Sequence, residues 1–180
     1  MRAATRGPDI RIRDAEDDDM AAIAALYAHY VRIGAASFEE NPPESAQMAR
    51  RRAEVLERGL PYVVAETGGT ILGFAYAGPF RHRSAYRYTV EDSVYVAPES
   101  QGLGAGRKML NELVERCTRA GYRQMVAVIG DPENNASVAF HVAMGFRSVG
   151  TLHSIGFKFE RWIDIVIMQR PLGAGAPPDL

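Results

Sequence analysis

A glycine-rich turn carries the clearest chemical signal in this sequence. Residues 101–107 read Gln-Gly-Leu-Gly-Ala-Gly-Arg and lie between a predicted strand and a predicted helix. Glycines let the backbone turn sharply and approach an anion closely, and the following helix adds the positive end of its dipole. The turn therefore predicts a pyrophosphate-binding loop, while a tight connection without a ligand remains the alternative. Its members are Gln101, Gly102, Leu103, Gly104, Ala105, Gly106 and Arg107.

Two common phosphate-binding motifs do not match this turn. A dinucleotide-binding fingerprint needs a glycine three residues beyond Gly104, where the sequence has Arg107. A Walker A loop needs Gly-Lys-Ser/Thr where the sequence has Arg107-Lys108-Met109. The sequence therefore disfavours both a dinucleotide and a nucleoside triphosphate as the ligand of this loop.

A second polar segment follows later in the chain. Asn134-Asn135-Ala136-Ser137 precedes His141 on a predicted helix, and Gly145-Phe146 ends that helix. The glycine-rich turn and this segment, in this order, closely resemble two motifs of the GNAT family of N-acetyltransferases. The resemblance implies a GNAT fold, an α/β (α+β) architecture with a twisted, mixed and mostly antiparallel sheet flanked by about four helices.

The same resemblance implies acetyl-CoA as the co-substrate and assigns residues to it. In the family, the glycine-rich loop grips the CoA pyrophosphate, and the strand before it lies beside the pantetheine arm. That part of the strand is Val94, Tyr95 and Val96. An asparagine of the second motif faces the pantetheine, and the spacing favours Asn134 over Asn135. Ser137 belongs to the same group of expected cofactor-binding residues.

Further stretches narrow the resemblance to one branch of the family. They resemble the phosphinothricin and methionine sulfone/sulfoximine acetyltransferases and cover almost the whole chain except its two tails. The branch implies acetylation of the α-amine of a small amino-acid-like substrate by direct attack on the thioester. Acetylation of another amine, such as a protein N-terminus or a polyamine, and a non-catalytic CoA-binding regulatory module are the alternatives. The stretches are Ala36–Glu40 with Pro42-Pro43, Thr89–Val96, Val126–Gly130, and Gly156–Lys158 with Trp162.

Acetylation of an amine needs a base, because the amine is protonated in water and attacks only after losing a proton. Glu91 is the expected base, mainly from the resemblance, and an exposed strand edge is the alternative. Asp92 should point to the opposite face and is left out of catalysis. His141 takes the position of a general-acid tyrosine of the family, so it is expected to donate a proton or to orient Glu91. A satisfied core histidine is the other interpretation. A backbone N–H near Tyr95 or Val96, exposed by a local bulge in the strand, is the expected oxyanion donor.

Substrate recognition is expected to involve basic side chains. Arg81 and Arg83 follow a predicted strand, and the resemblance implies that they bind the acidic group of the substrate, with Lys158 assisting. A solvated basic loop is the alternative. Phe38 and Tyr30 are candidates for pocket walls or for core packing. No histidine spacing matches a metal-binding motif, so no metal is predicted.

Local patterns place these residues on predicted elements. Strands are predicted over residues 10–13, 62–66, 70–76, 86–96, 125–129, 147–152 and 157–169. Helices are predicted around residues 23–30 and over 43–58, 104–120 and 137–144. Asn41 is the expected N-cap of the second helix, and Thr67-Gly68-Gly69 predicts a hairpin turn.

Length and composition favour one small domain. The 180 residues suffice for a single unit, predicted over 10–172 with flexible tails at 1–9 and 173–180. A formal net charge of −1 attracts neither nucleic acid nor an anionic membrane, and no apolar run could span a bilayer. The single cysteine, Cys117, fits a reducing compartment, so a cytoplasmic location is expected. The family resemblance also implies a homodimer.

Overall fold

The computed structural model describes residues 8–131 and 134–175, which contain seven strands and four α-helices. The strands are β1 (Arg11–Asp14), β2 (Tyr62–Thr67), β3 (Thr70–Pro79), β4 (Thr89–Val96), β5 (Gln124–Gly130), β6 (Arg147–Lys158) and β7 (Arg161–Pro171). The helices are α1 (Met20–Ile33), α2 (Ser45–Glu57), α3 (Ala105–Arg119) and α4 (Asn135–Ala143). Residues 1–7 and 176–180 of the predicted tails lie outside the described residues, and the domain limits stay a prediction.

All seven strands join one sheet in the order β1-β2-β3-β4-β5-β7-β6. Neighbouring strands pair antiparallel except β4 and β5, which are parallel. The mixed, mostly antiparallel sheet with four helices confirms the predicted fold class. Among the described residues, no helix is both long and apolar enough to cross a bilayer.

The parallel pair β4–β5 separates soon after it forms. Its register joins only Thr89–Glu91 to Gln124–Val126, whereas β4 continues along β3 as far as Val96. Beyond Glu91 the two parallel strands therefore part and leave a gap in the sheet. The register of β3 with β4 has no shift, so the gap arises from divergence of the parallel strands and the expected bulge in this pairing was wrong.

The two faces of the sheet carry separate hydrophobic clusters. Helix α3 buries the side chains predicted by its apolar spacing, including Leu110, Leu113 and Cys117, against one face. Helix α1 buries Ile23 and Tyr27 against the other face. Both clusters reach β4, because its side chains alternate between the two faces. The packing on both sides thus fixes the strand that borders the gap.

Several predicted boundaries were wrong for local reasons. Strand β4 begins at Thr89, because residues 84–86 form a short 3-10 turn. Helix α2 begins after Glu44, which has extended backbone angles at the N-cap, so Asn41 does not cap it. The last two strands turn at Phe159-Glu160, both with positive φ, and Phe157 lies in β6 rather than in the final strand. That turn contains no glycine or asparagine, so it gave no sequence signal.

Candidate active site

The gap between β4 and β5 opens into two adjoining cavities. One, of about 530 Å³, is lined by the glycine-rich turn, and we call it the loop cavity. The other, of about 510 Å³, is lined by Glu39, Glu91 and Asp92, and we call it the carboxylate cavity. Some residues line both cavities, so the two meet along a common boundary. These residues are Ala36, Val94, Tyr95, Asn134, Ser137 and His141.

The loop cavity is formed mainly by backbone at the start of α3. Gly102 and Gly104 have φ of +77° and +89°, which L side chains rarely adopt, and Gly104 is the N-cap of α3. A Cβ atom added at either glycine would meet nothing within 4 Å, so this side of the loop is open. The first N–H groups of α3 lack intrahelical acceptors and can bind an anion together with the helix dipole.

Most residues predicted for the cofactor line the loop cavity. Leu103 is an exception, since it is 45% exposed and does not line the cavity. The hydroxyl of Tyr30 donates to the carbonyl oxygen of Val96 at 2.5 Å, which places the tyrosine at the wall of this cavity. The predicted residues that line it are Val94, Tyr95, Val96, Gln101, Gly102, Gly104, Ala105, Gly106, Arg107, Asn134 and Ser137.

The start of α4 brings Asn134 to the boundary between the cavities. Asn134 is the N-cap of α4, and its side-chain oxygen accepts a hydrogen bond from the N–H of Ser137 at 3.2 Å. Both residues line both cavities, whereas Asn135 lines neither. The cap thus explains why an asparagine and a serine stand at this spacing.

Glu91 is a half-buried carboxylate on the wall of the carboxylate cavity. Among the described residues it has no ion-pair partner within 4 Å. Burial and the nearby charge of Asp92 raise its pKa above the usual 4.5, against the opposing charge of Arg81. A raised pKa makes Glu91 a stronger base near neutral pH than an exposed glutamate.

Glu39 lines the same cavity, but its negative charge is balanced by the neighbouring Arg51. Arg51 donates two hydrogen bonds to its carboxylate, at 2.6 and 3.0 Å, and the hydroxyl of Tyr27 donates a third at 2.8 Å. Burial alone would raise the pKa of Glu39, but these bonds outweigh it and lower the pKa. Neither Glu39 nor Tyr27 was predicted, because residues from α1, α2 and the intervening loop meet only in the fold.

His141 contacts Asp92 rather than Glu91. Its Nε2 lies 3.1 Å from Asp92 Oδ2, and its Nδ1 lies 2.8 Å from the carbonyl oxygen of Ser137. Burial alone would lower the pKa of His141, but the hydrogen bond and charge of Asp92 and the Ser137 carbonyl together raise it above 6.5. Asp92 was expected to lie outside the site, but it lines the carboxylate cavity and contacts His141.

Lys158 lies behind the wall of the carboxylate cavity and does not line it. The side chain is 3% exposed, and its Nζ donates to the carbonyl oxygens of Gly34 and Ser37 at 2.9 and 2.6 Å. Burial lowers its pKa below 10.5, against the charges of Glu39 and Glu40. The ammonium therefore holds the cavity-wall segment 34–39 to β6.

Phe38 lines the carboxylate cavity and packs beside a glycine of β6. A Cβ atom added at Gly156 would lie 2.4 Å from Phe38 Cε2, so this ring needs a glycine there.

Arg81 and Arg83 are exposed in the loop before β4, and neither lines either cavity. Arg81 is nevertheless close enough to lower the pKa of Glu91 electrostatically.

Comparisons with known proteins agree with this arrangement. The acetyltransferase (GNAT) family model matches residues 16–146. The chain is 56% identical over 164 residues to a phosphinothricin N-acetyltransferase of Alcaligenes faecalis, covering 91% of this chain and 83% of the relative. It is 39% identical over 169 residues to an L-methionine sulfoximine/L-methionine sulfone acetyltransferase of Salmonella typhimurium, covering 93% and 98%.

A solved structure resembles the whole fold. A GNAT superfamily phosphinothricin acetyltransferase from Sinorhizobium meliloti, crystallised in complex with AcCoA, superposes with a TM-score of 0.89 at 46% identity. The match covers 93% of this chain and 90% of that one. The chain therefore belongs to the GNAT acetyltransferase family, and it is an N-acetyltransferase. The predicted family and branch are confirmed.

Proposed function

We propose that this enzyme moves the acetyl group of acetyl-CoA to the α-amine of an amino acid with an oxidised, tetrahedral sulfur or phosphorus group in its side chain. Phosphinothricin, methionine sulfone and methionine sulfoximine are the candidate substrates. One observation carries the proposal: an open anion-binding loop and an unpaired carboxylate, Glu91, lie in cavities that share a boundary. The named activities of the three relatives support it.

The loop cavity fits the pyrophosphate and arm of acetyl-CoA, which supplies an acetyl group activated as a thioester. The N–H groups of residues 102–107 would hold the pyrophosphate, because the open glycine face and the first turn of α3 offer unpaired donors. Val94 and Asn134 would contact the arm, since they lie where this cavity meets the other. The acetyl group would then reach the boundary next to the carboxylate cavity.

Glu91 would accept a proton from the substrate ammonium, directly or through a water. The freed nitrogen lone pair forms a bond to the thioester carbonyl carbon, and the C–S bond breaks with its electron pair on sulfur. The attacking nitrogen, which then carries two hydrogens and a positive charge, loses one proton to solvent as the amide forms. The thiolate takes a proton from solvent and Glu91 returns its own, so one proton is released for each ammonium acetylated. Backbone N–H groups of β4 beyond Glu91, where β5 has separated, are the proposed oxyanion donors.

The charges of the carboxylate cavity favour a substrate with one ammonium over a polyamine. Three carboxylates line it, and none of its described lining residues is a lysine or arginine. Glu39 is paired with Arg51, however, and Asp92 is paired with His141. Glu91 is then the one lining carboxylate without a contacting cation in the described part of the chain, and one carboxylate suits one ammonium.

Arg81 and Arg83 remain the proposed anchors for the acidic group of the substrate. Both are exposed, and Arg81 is the cation whose charge reaches Glu91. The Arg81 guanidinium, whose charge reaches Glu91, would bind a carboxylate or phosphinate of the substrate. Lys158 is assigned to the wall instead, because its N–H groups are bonded to Gly34 and Ser37.

A turnover assay with thiol detection tests the proposal. The purified enzyme is mixed with acetyl-CoA and each of phosphinothricin, methionine sulfone, methionine sulfoximine, spermidine and a peptide with a free N-terminus. We expect thiol release with at least one of the three amino acids and none with spermidine. Preference for spermidine or the peptide would assign another amine, and acetyl-CoA binding without any turnover would indicate a regulatory module.

The proposal includes a homodimer in the cytoplasm. Strand β6 is the sheet edge, and it exposes large apolar side chains with the first residues of β7. Phe157 and Trp162, 55% and 64% exposed, pack against each other with ring centroids 5.2 Å apart. Light scattering should therefore give the mass of a dimer for the wild type. The double substitution of Phe157 and Trp162 by serine should give the mass of a monomer. The single free and buried thiol, Cys117, supports the reducing compartment.

A further inference from the structure

A buried histidine–carboxylate pair lies where the two cavities meet, with His141 on both cavities and Asp92 on the carboxylate cavity. His141 and Asp92 side chains are 7% and 2% exposed, and Nε2 lies 3.1 Å from Oδ2. The rings of Phe140 and Phe146 contact the imidazole edge-on, with centroids 5.0 and 5.1 Å away. The ring is therefore held on both of its nitrogens and against two aromatic neighbours.

The hydrogen-bond partners determine where the protons lie. Nδ1 of His141 faces the carbonyl oxygen of Ser137, which can only accept, so Nδ1 carries a proton. Nε2 faces a carboxylate oxygen of Asp92, so either Nε2 or that oxygen carries a second proton. An ionised Asp92 requires the first arrangement, in which His141 is an imidazolium. Both N–H groups then point at protein acceptors.

Asp92 has little else to neutralise its charge. Its other oxygen, Oδ1, is buried and has no hydrogen-bond partner in the described part of the chain. The charge also reaches Glu91 on the same strand and Cys117 on α3, and it raises the pKa of each. These are the titratable groups that face the pair from β4 and α3, and neither is a cation. His141 is therefore the cation that compensates Asp92.

We propose that Asp92 is a positioning residue that keeps His141 doubly protonated at the cavity boundary, so that His141 acts through a fixed positive charge rather than by giving up a proton. This rests on the proposed function. His141 lines both cavities, so an imidazolium there would favour the negative charge that develops on oxygen and sulfur during acetyl transfer. The expected general-acid role of His141 is replaced, because both of its N–H bonds already have acceptors.

The protonation state can be measured without turnover. The enzyme is labelled with ¹⁵N at histidine, and the ring nitrogen shifts of His141, assigned with His141→Gln, are followed from pH 5 to 10. We expect imidazolium shifts at pH 7 in the wild type and a neutral ring at that pH in Asp92→Asn. A neutral His141 at pH 7 in the wild type would overturn the proposal, whether or not any amine is acetylated.

Kinetics then separate a charge role from a structural one. Asp92→Asn should lower kcat by about 10- to 100-fold at pH 8, with a smaller loss at pH 6, where the ring regains its proton. Asp92→Glu should restore the imidazolium shifts and part of kcat. A loss that is equal at both pH values, or a full loss in Asp92→Glu with the imidazolium retained, would contradict the role of the charge.

Glu91→Gln is the matched control for these measurements. It removes the neighbouring carboxylate, which does not contact His141, so it should lower turnover while His141 keeps its imidazolium shifts. Loss of the imidazolium in Glu91→Gln would show that Glu91 holds the charge and would overturn the assignment to Asp92. Failure of the wild type to acetylate any amine would count against the proposed function. The ¹⁵N shifts would still show whether Asp92 keeps His141 doubly protonated.

Discussion

One side of the loop cavity is a continuous stretch of backbone, residues 94–107, whereas the carboxylate cavity depends on side chains that meet from distant parts of the chain. In the first, glycines with positive φ and the N-terminus of α3 present N–H groups. In the second, Lys158 reaches Ser37 across 121 residues and His141 reaches Asp92 across 49. Backbone donors suit a pyrophosphate of fixed shape, and side chains suit a substrate that differs among relatives.

This difference predicts that mutations in the two cavities separate the two substrates. Changes in the loop should act on the KM for acetyl-CoA, because they disturb its donors alone. Changes in the wall of the carboxylate cavity should act on the KM for the amine. The shared boundary is the exception, and residues that face the reacting atoms should change kcat.

The largest expected effect is at Glu91. Glu91→Gln keeps the shape of the side chain but removes the base, so kcat should fall by about 100-fold or more while acetyl-CoA affinity is unchanged. Initial rates of thiol release give kcat, and titration calorimetry gives the affinity for acetyl-CoA. The rate of the wild type should rise with pH through a pKa above 4.5, and this limb should vanish in the variant.

Glu99→Gln is the control for this substitution, because Glu99 is an exposed carboxylate just beyond the end of β4. It should leave kcat and its pH profile as in the wild type. Wild-type turnover in Glu91→Gln would remove Glu91 from the mechanism as the base.

The second effect concerns the loop alone. Gly104→Ala places a side chain on a backbone with φ of +89°, which costs about 1–2 kcal/mol and should shift the loop. We expect the KM for acetyl-CoA to rise about 10-fold, with the KM for the amine unchanged. Steady-state kinetics with each substrate varied in turn measure both.

Gly69→Ala provides a matched control in the β2–β3 hairpin. Gly69 has φ of +80°, and an added Cβ at either glycine would meet nothing within 4 Å. Both variants should lose similar stability, but Gly69→Ala should bind acetyl-CoA normally. Equal changes in KM would mean that lost stability, rather than loop geometry, explains the effect.

The loop cavity was largely predictable because its signal is local. The order of strand, glycines and helix places N–H donors by short-range geometry, so the residues 101–107 could be named without a fold. The exception is Leu103, whose orientation depends on the turn and which is exposed outside the cavity. The family resemblance added Asn134 and Ser137, and the N-cap bond explains their spacing.

The carboxylate cavity was predictable only in part, because contacts across the fold decide its charges. Glu39 and Asp92 are neutralised by Arg51 and His141, and no spacing in the sequence indicates either pair. Lys158 was expected to bind an anion, but the fold turns its ammonium onto backbone carbonyls. Sequence pattern identifies a charged residue but does not show what it faces.

The third expected effect is at Lys158, which holds wall segment 34–39 of the carboxylate cavity. Lys158→Met keeps the length of the side chain but removes the bonds to Gly34 and Ser37, so the wall segment should loosen. The KM for the amine should rise about 5- to 10-fold, with that for acetyl-CoA unchanged. Lys108→Met is the control, because its Nζ also bonds a carbonyl oxygen, that of Ile10, away from the wall. An unchanged KM for the amine would contradict the role given to Lys158.

A smaller effect is expected from crowding the wall. Gly156→Ala would bring a Cβ to 2.4 Å from Phe38, so the ring must move, at modest cost because it is the end of a side chain. The KM for the amine should change about 2- to 5-fold. Gly150→Ala, in the same strand but with nothing within 4 Å of its added Cβ, should have no effect. Equal behaviour of the two variants would mean that the ring position does not shape the cavity.

The smallest effect is a pH dependence of stability at the boundary. The folded protein raises the pKa of His141 above 6.5, so the pair contributes its full stability below pH 6.5. The contribution is lost as the pH rises through the folded pKa and the ring gives up its proton. The Tm difference between the wild type and Asp92→Asn should therefore be larger at pH 6 than at pH 9. A few degrees are measurable, since about 1 kcal/mol shifts Tm by about 2–4 °C in a domain of this size.

The exposed pair of His153 and Asp164 supplies the contrast for this measurement. Its Nδ1–Oδ2 distance is 2.6 Å, shorter than that of the buried pair, but the histidine side chain is 76% exposed. Water and salt screen such a pair. The Tm difference between the wild type and Asp164→Asn should therefore shrink when salt is added. The Tm difference for Asp92→Asn should persist in salt, because the Asp92–His141 pair is buried and salt ions do not reach it. A salt-sensitive difference at Asp92 would place that pair in contact with solvent and remove the basis for a fixed charge at the boundary.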